Sequence, residues 1–177
     1  MNKGQGYVLD TNAILDLTRR LYPELVFPNL HSQVSELVKS GFIISSVEVL
    51  GELGIDFKKK PKEWLNKTER DYPREYNLPI LWSQKYSQIF LEFNIQLEGI
   101  INQITSSYDN VVKFQSTRGY DADIHLIALA VHHNWALITS EKTSNNADKP
   151  NIPDICKDLG VSCMDLLGMF KTRKWSF

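Results

Sequence analysis

Cysteine is scarce in this chain, and the two present, Cys156 and Cys163, are too few for a disulfide framework. Six residues separate them with no histidine nearby, a poor spacing for zinc, so both read as core thiols. Long apolar runs are lacking too: stretches such as Leu126 to Val131 fall far below the roughly 20 residues that span a bilayer. Met1 to Gly6 is too short and polar for a secretion signal, so a cytoplasmic protein with no membrane partner is expected. Neither sign of charge is in excess. The formal net charge of -1 leaves a nucleic-acid partner neither required nor excluded. A convincing Ser-His-Asp order is missing, which argues against a side-chain nucleophile of that kind. At 177 residues and 42% hydrophobic content, the expectation is one domain over 1–177 with a sizeable core.

What is there is an alternation of strands and helices. Tyr7 to Leu9 reads as a buried strand, followed by a helix from Asn12, its cap, into Arg19. Pro28 opens a second helix, with Leu30, Val34, Leu37 and Val38 at helical spacing and Gly41 as its left-handed terminator. Phe42 to Ser45 is a short apolar strand, and Ser45 or Ser46 caps a helix through Leu53. From about 56 to 119 the pattern changes to a charged, proline-broken stretch, then a long helical periodicity over Ile80 to Ile104. Leu81, Ile89, Phe93, Leu97, Ile100, Ile101 and Ile104 share one face there, so an all-helical elaboration is predicted. A helix headed by Asp121 or Asp123 follows, apolar nearly all round, then a strand at Ala136 to Thr139. A helix near Pro153 to Leu159 ended by Gly160, a strand at Val161 to Met164 and a helix at Asp165 to Lys171 complete the chain. Strands and helices alternating without hairpin signals predict an α/β fold: three layers, α/β/α, around a parallel sheet of four or five strands.

Acidic residues stand where these strands end. Asp10 closes the first strand in YVLDTN, and IISSVEVLGEL passes from a strand into Glu48 and Glu52. Asp123 heads the helix in DADIHLIALA, and Glu141 follows ALITS directly. Ligands of parallel sheets bind beyond the carboxyl ends of the strands, where the strand order switches, so one edge is predicted to collect these acids. Ionised carboxylates held together repel one another, and a divalent cation is the usual compensation. Hard oxygen donors without a soft-ligand cluster favour Mg²⁺ or Mn²⁺ over zinc.

The succession LDTN, SSVEVLGEL, DADIHLIALA and ALITSE resembles the PIN domain, a metal-dependent nuclease fold found in VapC-like toxins and RNA-processing enzymes. The resemblance covers most of the chain, with a longer helical insertion than in the small toxins. The tail NIPDICKDLGVSCMDLLGMF resembles an uncharacterised PIN-like subfamily of prokaryotes. It implies catalytic and metal-holding roles for Asp10, Glu52, Asp123 and Glu141, the last standing where many members have Asp. Asn12, Glu48, Asp121 and Thr139 are secondary candidates for ligation or for orienting water and phosphate. The implied activity is that of a metal-dependent endoribonuclease. Its substrate would be single-stranded or looped RNA, and resemblance to toxins suggests an antitoxin partner and a homodimer.

Taken singly, each acid has a plainer use. Asp10 and Asp123 suit helix caps, Glu48 and Glu52 a solvated helix face, and Glu141 with Lys142 a surface pair. The functional expectation rests on all four sharing one edge. His132 and His133 are adjacent on a helix and point apart, while His125 lies near enough to Asp121 to approach a substrate. Trp64, Trp82, Trp135 and Trp175 read as packing residues. Lys58, Lys59, Lys60, Lys62, Arg70 and Arg74, or Lys171, Arg173 and Lys174, could embrace a phosphate backbone. Two rivals are a catalytically silent binding or interaction module and a doubly wound phosphotransfer domain. The second lacks the nearby second Asp that DTN would need.

Overall fold

Three strands whose every residue is buried form the middle of the molecule: β1 (Tyr7–Leu9), β2 (Ile43–Ser46) and β6 (Ala136–Ile138). Burial on both faces suits near-continuous apolar runs and dictates a parallel sheet covered by helices. In the computed structural model the described residues are 6–53, 74–108, 115–116, 119–120, 122–144 and 150–176. The sheet has five strands in the order β3-β2-β1-β6-β7, with β3 at Phe90–Leu91 and β7 at Cys163–Met164. All its pairings are parallel, with Tyr7 opposite Ile43 on one side and Ala136 on the other. Both outer strands are two residues long.

Eight described α-helices flank this sheet: α1 (Thr11–Leu15), α2 (Pro28–Lys39), α3 (Val47–Glu52), α4 (Arg74–Lys85), α5 (Ile95–Ser107), α6 (Ala122–His133), α7 (Ile152–Asp158) and α8 (Leu166–Arg173). The arrangement is the three-layer α/β fold that the sequence predicts. A separate antiparallel pair, β4 (Gln115–Ser116) with β5 (Gly119–Tyr120), stands apart from the sheet. Among the described residues no helix is long and apolar enough to cross a membrane.

Helices feed their strands by one recurring device. Beyond the end of α2, Gly41 takes φ 71° and its N–H donates to Val38 O, while Phe42 N–H donates to Leu37 O. These two bonds satisfy carbonyls the helix leaves open, and the left-handed residue turns the chain into β2. Gly160, at φ 70°, does the same between α7 and β7, and Asn134, at φ 52°, between α6 and β6.

Three predicted details differ. Asp10, not Asn12, is the N-cap of α1, which continues as a π-helical turn over Asp16–Arg20. The periodicity over Ile80 to Ile104 is not one helix but α4 and α5, separated by a 3₁₀ turn and β3. The region is therefore not all helical, and Leu81 and Phe93, predicted on its apolar face, are exposed. The core itself is contiguous, with α6 buried along most of its length against β1, β2 and β6.

Candidate functional site

Because the sheet is parallel, the carboxyl ends of β1, β2 and β6 lie at one edge. The chain moves from β1 outward through β2 and β3, then crosses to β6 and β7 on the other side. The order therefore switches between β1 and β6, the position where open α/β sheets bind ligands. A side-chain hydrogen bond closes that position: Thr139 Oγ1, just beyond β6, donates to Asp10 Oδ2, just beyond β1, at 2.8 Å.

Asp10 is only 3% exposed. Burial pushes its carboxyl above the ordinary value, although the Thr139 hydroxyl, the Thr11 and Asn12 amides and the Asn12 side chain pull the other way. Among the described residues no Lys, Arg or His forms an ion pair with it. An acid kept at an edge in this way is costly for the fold and receptive to a cation.

The other predicted residues stand in separate bonded groups. Thr139 Oγ1 also accepts from Glu141 N–H at 3.1 Å, and Glu141 Oε2 accepts from Ile152 N–H at 3.1 Å, at the start of α7. Glu52, exposed at the end of α3, accepts from the Thr11 hydroxyl next to Asp10. Glu48, one turn earlier on α3, accepts from His125 Nδ1 at 2.5 Å. Burial alone would raise Glu48, but the His125 hydrogen bond and electrostatic pull bring its carboxyl below the ordinary value. Asp123 stands in the first turn of α6, partly buried, two residues before His125. Asn12 Oδ1 accepts from Arg20 at 3.3 Å, and Asp121 lies outside the described residues.

The edge thus joins Asp10, Thr139 and Glu141 in one chain of bonds, Thr11 and Glu52 in a second, and Glu48 and His125 in a third. It does not draw the four predicted ligands into one shell: among the described residues no three His, Cys, Asp or Glu side chains stand where they could hold an ion together. Each of Asp10, Glu48, Glu52 and Glu141 has instead found a protein donor, as polar groups at a buried edge must. In donor chemistry the set still fits a hard divalent cation, since every candidate offers carboxylate oxygen.

Sequence reasoning missed two partners, Thr11 and the Glu48–His125 pair. The spacing of Glu48 on an amphipathic helix gave no sign of a residue 77 positions away. His132 and His133 stand with ring centroids 4.9 Å apart, edge to face, closer than expected, and His133 also lies 4.9 Å from the Trp135 ring. Burial lowers the His133 imidazole below its ordinary value. Cys156 is buried and Cys163 half-buried, and both are free thiols. Both Asp10 and Glu141 are near enough to act on Cys163.

Of the cations assigned to a phosphate backbone, Arg173 is committed elsewhere. Its Nε donates to the Tyr7 hydroxyl at 2.9 Å and its guanidinium lies 5.0 Å from the Tyr7 ring centroid. Lys171 and Lys174 are exposed. Lys58, Lys59, Lys60, Lys62, Arg70 and Trp64 lie outside the described residues, as does the side chain of Arg74. Trp82 is buried and Trp175 stacks on Phe170 at 5.7 Å, both in packing roles.

Thr139→Val keeps the shape beside Asp10 and removes the hydroxyl. It is expected to raise the Asp10 carboxyl further and to cost about 1.5–3 kcal/mol at neutral pH, the range for hydrogen bonds to charged groups. Urea unfolding and an NMR titration of Asp10 measure both, and an unmoved titration would remove Thr139 from the account of this acid.

Comparison with known proteins gives a family but no activity. A family model described as a domain of unknown function, DUF4411, matches residues 7–177. No curated protein and no solved structure matches the chain.

Proposed function

Since this chain belongs to the DUF4411 family, whose description states no activity, we propose its function from the site: a metal-dependent ribonuclease that hydrolyses phosphodiester bonds in RNA. The observation that carries this reading is Asp10, a nearly buried carboxylate without a cationic partner among the described residues, at the point where the strand order switches. The resemblance of LDTN, SSVEVLGEL, DADIHLIALA and ALITSE to PIN-domain nucleases supports the same assignment.

Asp10, Glu52, Asp123 and Glu141 are the side chains that would hold Mg²⁺ or Mn²⁺. Such an ion, when bound, supplies a water acidic enough to attack near neutral pH and neutralises charge on the leaving oxygen. The chain's own residues prepare the place. Thr139 holds Asp10 toward β6 and favours its ionised form, the form that ligates. Thr11 holds Glu52 beside the start of α1, and the α7 amide of Ile152 steadies Glu141. Asn12 and Thr139 would orient a water or a phosphate oxygen.

Looped or single-stranded RNA is the preferred substrate, because its exposed backbone can enter a groove at a sheet edge. We place the protein in the cytoplasm, which suits two cysteines left as thiols. An antitoxin partner and a homodimer belong to the same reading. A second reading, a catalytically silent binding module, is favoured by the absence of three assembled ligands among the described residues.

Digestion of total RNA with Mg²⁺ or Mn²⁺, with cleavage ends mapped, separates the two. Wild-type protein is expected to cut only with metal, and Asp10→Asn not at all. RNA that survives intact beside metal-loaded protein would hand the site to the binding module.

A further inference from the structure

Helix α3 has six residues, too few to hold together in water without tertiary contacts. Its N-cap, Ser46, makes no side-chain capping bond. Burial of Val49 and Leu50 fixes one face, and two side-chain bonds fix the acids on the other: Thr11 to Glu52 and His125 to Glu48. The second reaches from α6, the same helix that carries Asp123 in its first turn.

His125 is an unusual choice for that contact. It is 1% exposed, and while Nδ1 serves Glu48 at 2.5 Å, Nε2 is buried with no hydrogen-bond partner among the described residues. A buried nitrogen without a partner costs free energy, and an apolar side chain of like volume would avoid the cost. The Phe93 ring, with its centroid 6.3 Å from that of the imidazole, offers no hydrogen bond. What histidine adds over leucine at this place is one directional bond to the helix that bears Glu52.

We propose that His125 is a positioning residue: through Glu48 it locks α3 to α6 and so fixes Glu52 relative to Asp123. This rests on the metal-site reading for its purpose, though not for its mechanics. Residues behind metal ligands that orient them are worth about 10- to 100-fold in metal affinity.

Three variants test it: His125→Leu, which fills the space without the bond; His125→Asn, whose side-chain N–H stands in for Nδ1–H; and Glu48→Leu, which removes the acceptor. Mn²⁺ titration and hydrogen exchange over Val47–Glu52 are read on each. His125→Leu is expected to fold, to bind Mn²⁺ about 10- to 100-fold more weakly and to exchange its α3 amides faster. His125→Asn should recover both toward wild type, and Glu48→Leu should reproduce the faster α3 exchange of His125→Leu. Wild-type affinity and unchanged α3 exchange in His125→Leu would overturn the proposal, as would failure of His125→Asn to recover either. If wild-type protein takes up no Mn²⁺, the metal reading falls, and the exchange data alone decide whether His125 locks the two helices.

Discussion

Asp10→Asn is expected to abolish metal-dependent RNA cleavage, by about a hundredfold or more, and at the same time to make the folded protein more stable. The two effects share one cause. Burial of Asp10 raises its carboxyl above the ordinary 3.8, so the native state resists its ionisation. Below 3.8 the acid is protonated in both folded and unfolded chains, and it costs the fold nothing through ionisation. Above that value the unfolded chain releases its proton first, and native stability falls as pH rises until the folded acid has ionised too. Once the folded acid has ionised, the whole penalty is present. Asparagine keeps the shape and an oxygen for Thr139 but never ionises, so its stabilising effect, on the order of 1 kcal/mol, should be seen at pH 7 and vanish in strong acid. Urea unfolding without divalent ions at both pH values measures this. A variant less stable than wild type at pH 7 would mean that Asp10 is held for packing and not in spite of its charge.

The largest loss of stability is expected one residue earlier. Leu9 is 1% exposed and lies in the central strand, opposite Ile138 of β6, with its carbonyl accepting from the buried Ser45 hydroxyl at 2.7 Å. Leu9→Ala removes buried methyl groups from a place where strands on both sides prevent collapse, a change that costs about 2–5 kcal/mol. Such a loss takes a large share of a typical domain's stability, roughly 5–15 kcal/mol. Chemical denaturation should show the midpoint falling with little change in slope. A loss below about 1 kcal/mol would show that β1 relaxes around the gap.

The parts of the fold legible in the sequence are those with a strong local signal. Tyr7 to Leu9, the IIS run and Ala136 to Ile138 announce buried strands through composition, and Gly41 and Gly160 mark helix ends because the left-handed turn favours glycine. Strand β3 was not legible: two residues carry no alternation, and Phe90 falls in line with the helical spacing around it. The same spacing joined α4 to α5, since a break of a few residues leaves the apolar repeat intact. The π turn after α1 has no signature in DLTRR.

The site was legible in its location and not in its bonds. Strand-terminal acids in an alternating sequence foretell an edge, and Asp10 and Thr139 meet there across 129 positions. That Glu141 would turn to the α7 amide, or that Glu48 would pair with a histidine, depends on where helices dock. Docking is decided by the packed core, which no stretch of a few residues encodes.

The two-residue lengths of β3 and β7 have a consequence for how copies of this protein meet. An outer strand with open amides is a template on which another chain can extend the ladder, the usual start of fibrous aggregates. Rims this brief provide little such template. Self-association, if it serves the function proposed above, would gain few ladder bonds from these two margins.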